Sequence, residues 1–247
     1  MIDISYYLLS AIAVLVIITI HEYSHGYTAY KLGDNTAKNL GRLTLNPTKH
    51  IDPVGALCML FFHIGWAKPV PINSRNFKNP KRDIALTALA GPISNIIMGF
   101  LAAFLYLLAY ALLKDVAFTD TGFLYQLANN TLLFLFLFHS INIGLGLFNL
   151  IPLPPFDGSR ILYVFLPTKL YFGVMKYERK IYFGVLAWLL LGDIVANALR
   201  TIPFVASTPW LYFIVGIFSL QDILSAIISG VSGLMFDFWR LIPFLNA

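Results

Sequence analysis

The sequence contains few charged residues and a single cysteine. Charged side chains make up 12% of the 247 residues, against roughly 25% in a typical soluble domain. Hydrophobic residues account for 58%, and the mean hydropathy is +0.75. The lone Cys58 excludes an intrachain disulfide and any metal site built from several cysteines. The composition therefore indicates an integral membrane protein.

Several apolar stretches are long enough to cross a bilayer, which takes about 20 apolar residues per helix. They cover residues 5–30, 84–113, 131–151, 181–199 and 207–230. A sixth stretch, Val54–Ile64, is too short for a full crossing and fits a re-entrant segment. The first stretch lacks a basic start, so it is interpreted as a retained span rather than a signal peptide.

These stretches predict an all-α polytopic membrane protein with about five transmembrane helices and a re-entrant segment. We expect one intramembrane domain over residues 1–247, with a core at about 5–165 and C-terminal helices at about 181–245. These C-terminal helices include a final interfacial helix over Val231–Leu245.

The basic residues indicate the orientation of the chain. With the N-terminus outside and Val54–Ile64 not crossing, 15 of the 17 Lys and Arg residues fall on the cytoplasmic side, and only Lys114 and Arg200 lie outside. If Val54–Ile64 crossed, the basic residues from Lys68 to Arg82 would move outside, against the usual cytoplasmic bias. The re-entrant interpretation is therefore favoured.

The first span ends in His21-Glu22-Tyr23-Ser24-His25. HExxH on a helix puts two imidazoles on one face, where both can bind one zinc ion, with the glutamate as general base. A pair of buried, hydrogen-bonded histidines is the alternative, although ionisable groups within spans are usually functional. Because Ser5 to His21 is about 24 Å of helix, the site should lie inside the membrane, below its cytoplasmic face.

A catalytic zinc usually keeps three protein ligands and one open position. Asp157 is the candidate third ligand, because the span that ends near Asn149 brings it to the same side as His21 and His25. The prolines between Asn149 and Asp157 prevent a regular helix, and irregular backbone at membrane depth must line a cavity or be buried in protein. A simple Asp-Gly turn at a helix exit is the alternative.

Four separated elements resemble the site-2 proteases, zinc metalloproteases that cleave within membranes. They are HEYSH at 21–25; Gly91-Pro92-Ile93-Ser94-Asn95; Asn149 through Gly158; and the loop formed by Gly41–Pro47, His50–Pro53 and Gly65–Pro69. No insertion is large enough for a PDZ or CBS domain, so the chain resembles a minimal branch. Phe156 stands where a leucine is commoner.

The resemblance implies roles at matching positions. Glu22 would be the base, and His21, His25 and Asp157 would bind Zn²⁺. Asn149 would stabilise the developing oxyanion, as an amide donor can. Asn95 would either line the same site or serve helix packing. Substrates would be single-span membrane proteins, such as an anti-sigma factor or an anchored transcription factor, cut near the cytoplasmic face of a bacterial inner membrane.

Gly41–Pro47 alternates polar and apolar residues between turn formers, which predicts a short strand that could pair with unwound substrate. The alternative is a surface loop held by Asn46-Pro47. His50, His63 and His139 are interpreted as structural, and Asp193 and Asp222 as partners of polar groups or markers of a water path.

Two competing functions remain at this point. A membrane metal transporter or channel could use His21, His25 and Asp157, but it needs no Glu22 as a base and should show internal repeats, which are not visible here. A non-catalytic relative that binds membrane partners is disfavoured by the complete set of site residues. We expect the lipid bilayer and membrane-protein substrates as partners, and no nucleic acid.

Overall fold

The computed structural model describes residues 4–52, 55, 67–119, 122–217 and 219–246, and most of these residues are helical. The predicted re-entrant segment Val54–Ile64 lies outside the described residues, apart from Gly55. The described helices are α1 (Ile4–Lys31), α2 (Thr36–Asn39), α3 (Pro80–Thr119), α4 (Phe123–Asn149), α5 (Asp157–Phe165), α6 (Thr168–Arg200), α7 (Pro203–Ala206), α8 (Pro209–Ile217) and α9 (Leu220–Arg240), with 3₁₀ turns at Pro47–Lys49, Ser74–Asn76 and Pro243–Leu245.

Four described helices are long and apolar enough to span a membrane: Ile4–Lys31, Pro80–Val116, Phe123–Asn149 and Asp222–Arg240. A bent pair, Lys176–Trp188 and Leu191–Arg200, would make a fifth, with 42° between its halves. The predicted all-α polytopic architecture is therefore confirmed. The spans 5–30, 84–113 and 181–199 each fall within a helix, and the span 131–151 runs two residues past the end of α4 at Asn149.

The predicted span 207–230 is wrong as drawn. The chain forms two helices there, α8 and α9, and the Ser219 side chain caps α9 by accepting a hydrogen bond from the backbone N–H of Asp222. A cap of this kind starts a new helix rather than continuing the old one. The separate interfacial helix predicted at Val231–Leu245 is wrong for the same reason, because α9 runs on to Arg240 and only a 3₁₀ turn follows.

The predicted strand at Gly41–Pro47 is also wrong. These residues form turns and bends, and the β pairing in the described chain is one isolated antiparallel bridge between Ile51 and Ala67. Local side chains satisfy the backbone here: the Asn46 side chain accepts from the N–H of Thr48, and the Thr44 hydroxyl accepts from the N–H of Asn46. Such bonds compete with a strand ladder.

The core lies where α1, α3 and α4 meet. Ala13 and Ile17 of α1 pack with Ala102 of α3 and Phe138 of α4. Gly99 brings α3 and α4 close together, because a Cβ there would lie 2.5 Å from Cδ1 of Ile143. Small residues at such crossings are typical of membrane helices. This three-helix core supports the end of α1 that carries the HExxH motif.

Asp34 fastens the C-terminal end of α1 to the segment before α3. Its fully buried carboxylate accepts hydrogen bonds from the Thr36 N–H and hydroxyl, the Asn73 N–H (2.7 Å) and the Asn76 amide (2.7 Å). Burial raises the pKa of Asp34, but these hydrogen bonds outweigh burial and hold its pKa below the ordinary value of 3.8. The residues around Thr36 and the segment Asn73–Asn76 are thereby held to the end of α1.

Candidate active site

The two motif histidines meet on the buried face of α1. His21 and His25 are one turn apart, and their Nε2 atoms lie 3.0 Å from each other. Oδ2 of Asp157 lies 3.2 Å from both Nε2 atoms. One ligand atom from each of the three residues falls within 4.8 Å of the others. The structure thus brings together the three residues that the sequence suggested as metal ligands.

Asp157 reaches this point because α5 begins close to the end of α4. Asp157 is the first residue of α5, where the helix dipole favours a negative charge. The next residue, Gly158, lies so close to the carbonyl groups of Leu150 and Ile151 that a Cβ would overlap them. Glycine at 158 is therefore required for this tight return of the chain.

The imidazoles are also packed against α3. Nδ1 of His25 lies 2.7 Å from the carbonyl oxygen of Thr87. Because a carbonyl only accepts, Nδ1 carries the proton, and the Nε2 lone pair of neutral His25 faces Asp157. One turn further along α3, Gly91 leaves no room for a side chain, since a Cβ would overlap the rings of His21 and His25.

This donor set fits a metal ion. Nε2 of His25 and a carboxylate oxygen of Asp157 face each other at 3.2 Å, so either a proton or a metal ion has to lie between their lone pairs. Oδ2 of Asp157 is buried and has no hydrogen-bond donor among the described residues. Two imidazoles and one carboxylate match a catalytic zinc centre that keeps an open position.

Glu22 lies between the histidines and is itself buried. Its Oε2 accepts a hydrogen bond from the backbone N–H of Val70, at 2.8 Å. That contact joins α1 to a segment 48 residues further along the chain. The Val70 N–H and the Thr87 carbonyl were not anticipated from the sequence, because a backbone group leaves no signature in residue type.

A cavity of about 1,230 Å³ opens onto these side chains, which is larger than the roughly 300–1,000 Å³ of small-ligand pockets. Its polar end holds His21, Glu22, His25, Asn149 and Asp157. Its wall along α1 and α4 is apolar and contains Val14, Ile17, Ile18, Ile141 and Leu145. The cavity therefore passes from a polar centre to a surface suited to an aliphatic chain.

Asn149 and Asn95 differ in their relation to the cavity. Asn149 lines it at the end of α4, with one amide N–H donated to the carbonyl of Leu145 at 3.0 Å, so its second amide N–H remains to donate. Asn95 is fully buried and packs near Gly146, and both polar atoms of its amide lack a partner in the described chain. Asn95 does not line the cavity, and its role stays open between the site and helix packing.

The remaining polar residues serve contacts elsewhere. His139 is hydrogen-bonded to the Gly99 carbonyl (2.8 Å) and the Ser232 hydroxyl (2.9 Å), which confirms its structural interpretation. Asp222 pairs with Arg200, and Asp193 accepts from the Ser219 hydroxyl at 2.7 Å. His50 is hydrogen-bonded to the Thr44 carbonyl although it also lines the cavity. His63 lies outside the described residues.

Comparison with known proteins agrees with this geometry. Residues 9–191 match the model of peptidase family M50. The chain is 45% identical over 168 residues to "Putative zinc metalloprotease YwhC" of Bacillus subtilis, covering 66% of this chain and 73% of that protein. It is 27% identical over 154 residues to "Putative zinc metalloprotease Rip2" of Mycobacterium tuberculosis, covering 60% of this chain and 53% of that one. No solved structure matches the chain.

The family match covers most of the chain, including all the residues around the candidate metal site. It favours a peptidase over the transporter alternative, because the family is a peptidase family and both relatives are named as zinc metalloproteases. With its apolar helices and its converging metal ligands, the chain belongs to peptidase family M50 and is a multi-pass membrane zinc metalloprotease.

Proposed function

We propose that the protein cleaves peptide bonds within the transmembrane segments of other membrane proteins. The observation that carries this proposal is the cavity in which His21, His25 and Asp157 converge beside Glu22, on a helix that has no charged residue before His21. In this assignment His21, His25 and Asp157 hold zinc. Glu22 is the general base, and Asn149 donates a hydrogen bond to the developing oxyanion.

Zinc, when bound, acidifies a water molecule and polarises the scissile carbonyl. Glu22 is placed to accept the proton of the attacking water and to return it to the leaving amine. Asn149 has an amide N–H to donate to the carbonyl oxygen as that oxygen gains negative charge. His25 keeps its Nδ1 proton on the Thr87 carbonyl, so its ring stays fixed during the reaction.

The apolar wall of the cavity supports a substrate from the bilayer. A transmembrane helix satisfies every backbone hydrogen bond internally, so a segment must unwind before its carbonyl can reach Glu22 and Asn149. Val14, Ile18 and Leu145 offer aliphatic contact to a neighbouring part of that segment. We therefore propose single-span membrane proteins as substrates, with anchored transcription factors and anti-sigma factors as the class implied by the resemblance, cut in regulated intramembrane proteolysis.

The orientation proposed is N-terminus outside, in a bacterial inner membrane, with cleavage near the cytoplasmic face. The distribution of 15 and 2 basic residues supports it. Cys58 is the only cysteine, so a Cys58→Ser background allows single-site labelling. A membrane-impermeant maleimide added outside intact cells should label Lys114→Cys but not Lys78→Cys, and the reverse pattern would overturn the orientation.

The function is tested with Glu22→Gln, which keeps the size of the side chain and removes the base. General base catalysis contributes about 10²–10⁴-fold in rate, so cleavage should fall below detection while zinc is retained. Mapping of new N-termini in membranes that contain the wild type, but not Glu22→Gln, would identify the substrates. Asp237→Asn, which removes an exposed carboxylate that does not line the cavity, is the matched control and should cleave normally.

Two results would refute the proposal. One is cleavage by Glu22→Gln at the wild-type rate. The other is a set of cleavage sites confined to soluble proteins or loops outside the bilayer. Asp157→Asn should behave differently from Glu22→Gln, because it removes an anionic ligand and should lower the zinc content itself.

A further inference from the structure

The segment that contacts Glu22 has an unusual backbone. Val70 stands between Pro69 and Pro71, and proline has no backbone N–H. The Val70 N–H is therefore the single backbone donor of this tripeptide, and it is donated to Oε2 of Glu22 at 2.8 Å. A residue before proline is restricted to extended conformations, so Val70 has little freedom to turn its N–H away.

Arg42 binds the carbonyl end of the peptide unit whose N–H belongs to Val70. Its Nη2 donates to the carbonyl oxygen of Lys68 at 2.8 Å and to that of Pro69 at 3.3 Å. The Pro69 carbonyl and the Val70 N–H belong to one trans peptide unit, which is planar and rigid. A cation on the carbonyl end therefore fixes the direction of the N–H and strengthens it as a donor, since linked hydrogen bonds polarise one another.

The space around Val70 is fitted to this contact. Gly26 lies one turn after Glu22 on α1, and a Cβ there would come within 3.1 Å of Cγ1 of Val70. The segment is also held by the hydrogen bond from the Lys68 N–H to the His50 carbonyl, at 2.9 Å. Val70 is thus buried against α1, while Arg42 binds the segment from its half-exposed side.

We propose that Arg42 is a positioning residue for the general base. Through the Pro69–Val70 peptide plane it holds Oε2 of Glu22 and leaves the other carboxylate oxygen to face the attacking water. This inference rests on the proposed role of Glu22. Arg42 touches neither the metal ligands nor Asn149 in the described structure, so its loss should disturb the orientation of Glu22 rather than the metal or the cleft.

The test compares Arg42→Gln and Arg42→Lys with the wild type on a membrane substrate in proteoliposomes. Small errors in the placement of a catalytic group can cost up to about 10²-fold in rate, so Arg42→Gln should lower kcat at least about tenfold with KM within about twofold. Arg42→Lys keeps a cationic donor that can reach the carbonyls and should restore part of the loss. Zinc content should equal that of the wild type in both.

Arg75→Gln is the matched control, because Arg75 is an exposed arginine of the same cytoplasmic region and lines no part of the cavity. It should leave kcat and KM unchanged. A wild-type kcat in Arg42→Gln would overturn the inference. So would a loss that appears in KM or in zinc content, because Arg42 would then support the cleft or the fold.

An increase of kcat in Arg42→Gln would also overturn it, since the Val70 contact would then restrain Glu22 from acting. Glu22→Gln measured in parallel separates the two proposals. Activity in Glu22→Gln refutes the protease mechanism, whereas an inactive Glu22→Gln beside a normal Arg42→Gln refutes only the role of Arg42.

Discussion

The helices before residue 166 and those after it are built differently. In the first group, α1, α3, α4 and α5 pack on one another around the cavity, and 39% of the most apolar window of α4 is buried. In the second group, α6 packs against α7, α8 and α9, and the corresponding window of α9 has no buried residues. Close packing is thus concentrated where the site is formed.

The two groups also differ in how closely their helices pack at glycine residues. Glycines with no room for a Cβ, such as Gly91 and Gly158, lie beside the site, whereas Gly230 of α9 has nothing within 4 Å of an added Cβ. α9 contacts α3 through large rings instead: Trp239 packs on Phe100 and Phe104, and its indole N–H donates to the Phe100 carbonyl at 2.9 Å. The first group should therefore respond sharply to small changes in shape, and the second only weakly.

The largest effect is expected from a single methyl group at Gly91. Gly91→Ala would push its Cβ into the rings of His21 and His25, so the imidazoles would have to move off their positions. We expect near-complete loss of proteolysis together with reduced zinc content, measured by metal analysis of the purified protein. Gly230→Ala is the control with the same chemical change and should retain both activity and zinc. Similar behaviour of the two variants would remove the distinction between the helix groups.

An intermediate effect is expected from Asp34, which links α1 to the segment at Asn73 and Asn76. Because its folded-state pKa lies below 3.8, the charged carboxylate contributes stability above that pH, and the contribution is lost as pH falls through the folded-state pKa. The midpoint temperature of thermal unfolding of the wild type in detergent should therefore fall in acid. Asp34→Asn should lower the midpoint at pH 7 and show a smaller further fall in acid. An unchanged midpoint at pH 7 would contradict this account.

The smallest effect is expected in the C-terminal group. Ser232→Ala removes the hydroxyl that contacts His139 across α4 and α9. Hydrogen bonds between membrane helices average about 0.6 kcal/mol, so the variant should be slightly less stable and close to wild type in activity. His139→Phe should cost more, because it also removes the hydrogen bond between the His139 ring and the Gly99 carbonyl. A loss of proteolysis in Ser232→Ala as large as in Gly91→Ala would show that α9 takes part in the site.

Much of this organisation could be predicted from the sequence, because its causes lie in residue type. Apolar runs identified four spans, and the spacing of His21 and His25 with the depth of Asp157 identified the side chains that converge. The break before α9 was missed because residues 207–230 read as one apolar run, in which Ser219 gives only a weak capping signal. The strand at Gly41–Pro47 was wrongly predicted because alternation does not reveal how side chains such as Thr44 and Asn46 bind the backbone.

The contacts that orient the site were beyond sequence reasoning for another reason. His25 is fixed by the carbonyl of Thr87 and Glu22 by the N–H of Val70, and every residue type offers such groups. Only the packing of distant segments decides which backbone group contacts His25 or Glu22. The prolines on both sides of Val70 were the one available hint, since they leave a single donor in that stretch.

The side chains around the candidate metal site have a simple charge balance. Asp157 and Glu22 supply two negative charges, and the two imidazoles are neutral when they act as ligands. A divalent cation therefore brings the whole group to zero net charge, which is the state that a low-dielectric surrounding tolerates best. Without the ion, the two carboxylates could be balanced only by protons, with the two imidazoles 3.2 Å from Asp157 as the nearest groups to hold them. Metal binding and stable insertion of α1 in the bilayer should consequently reinforce each other.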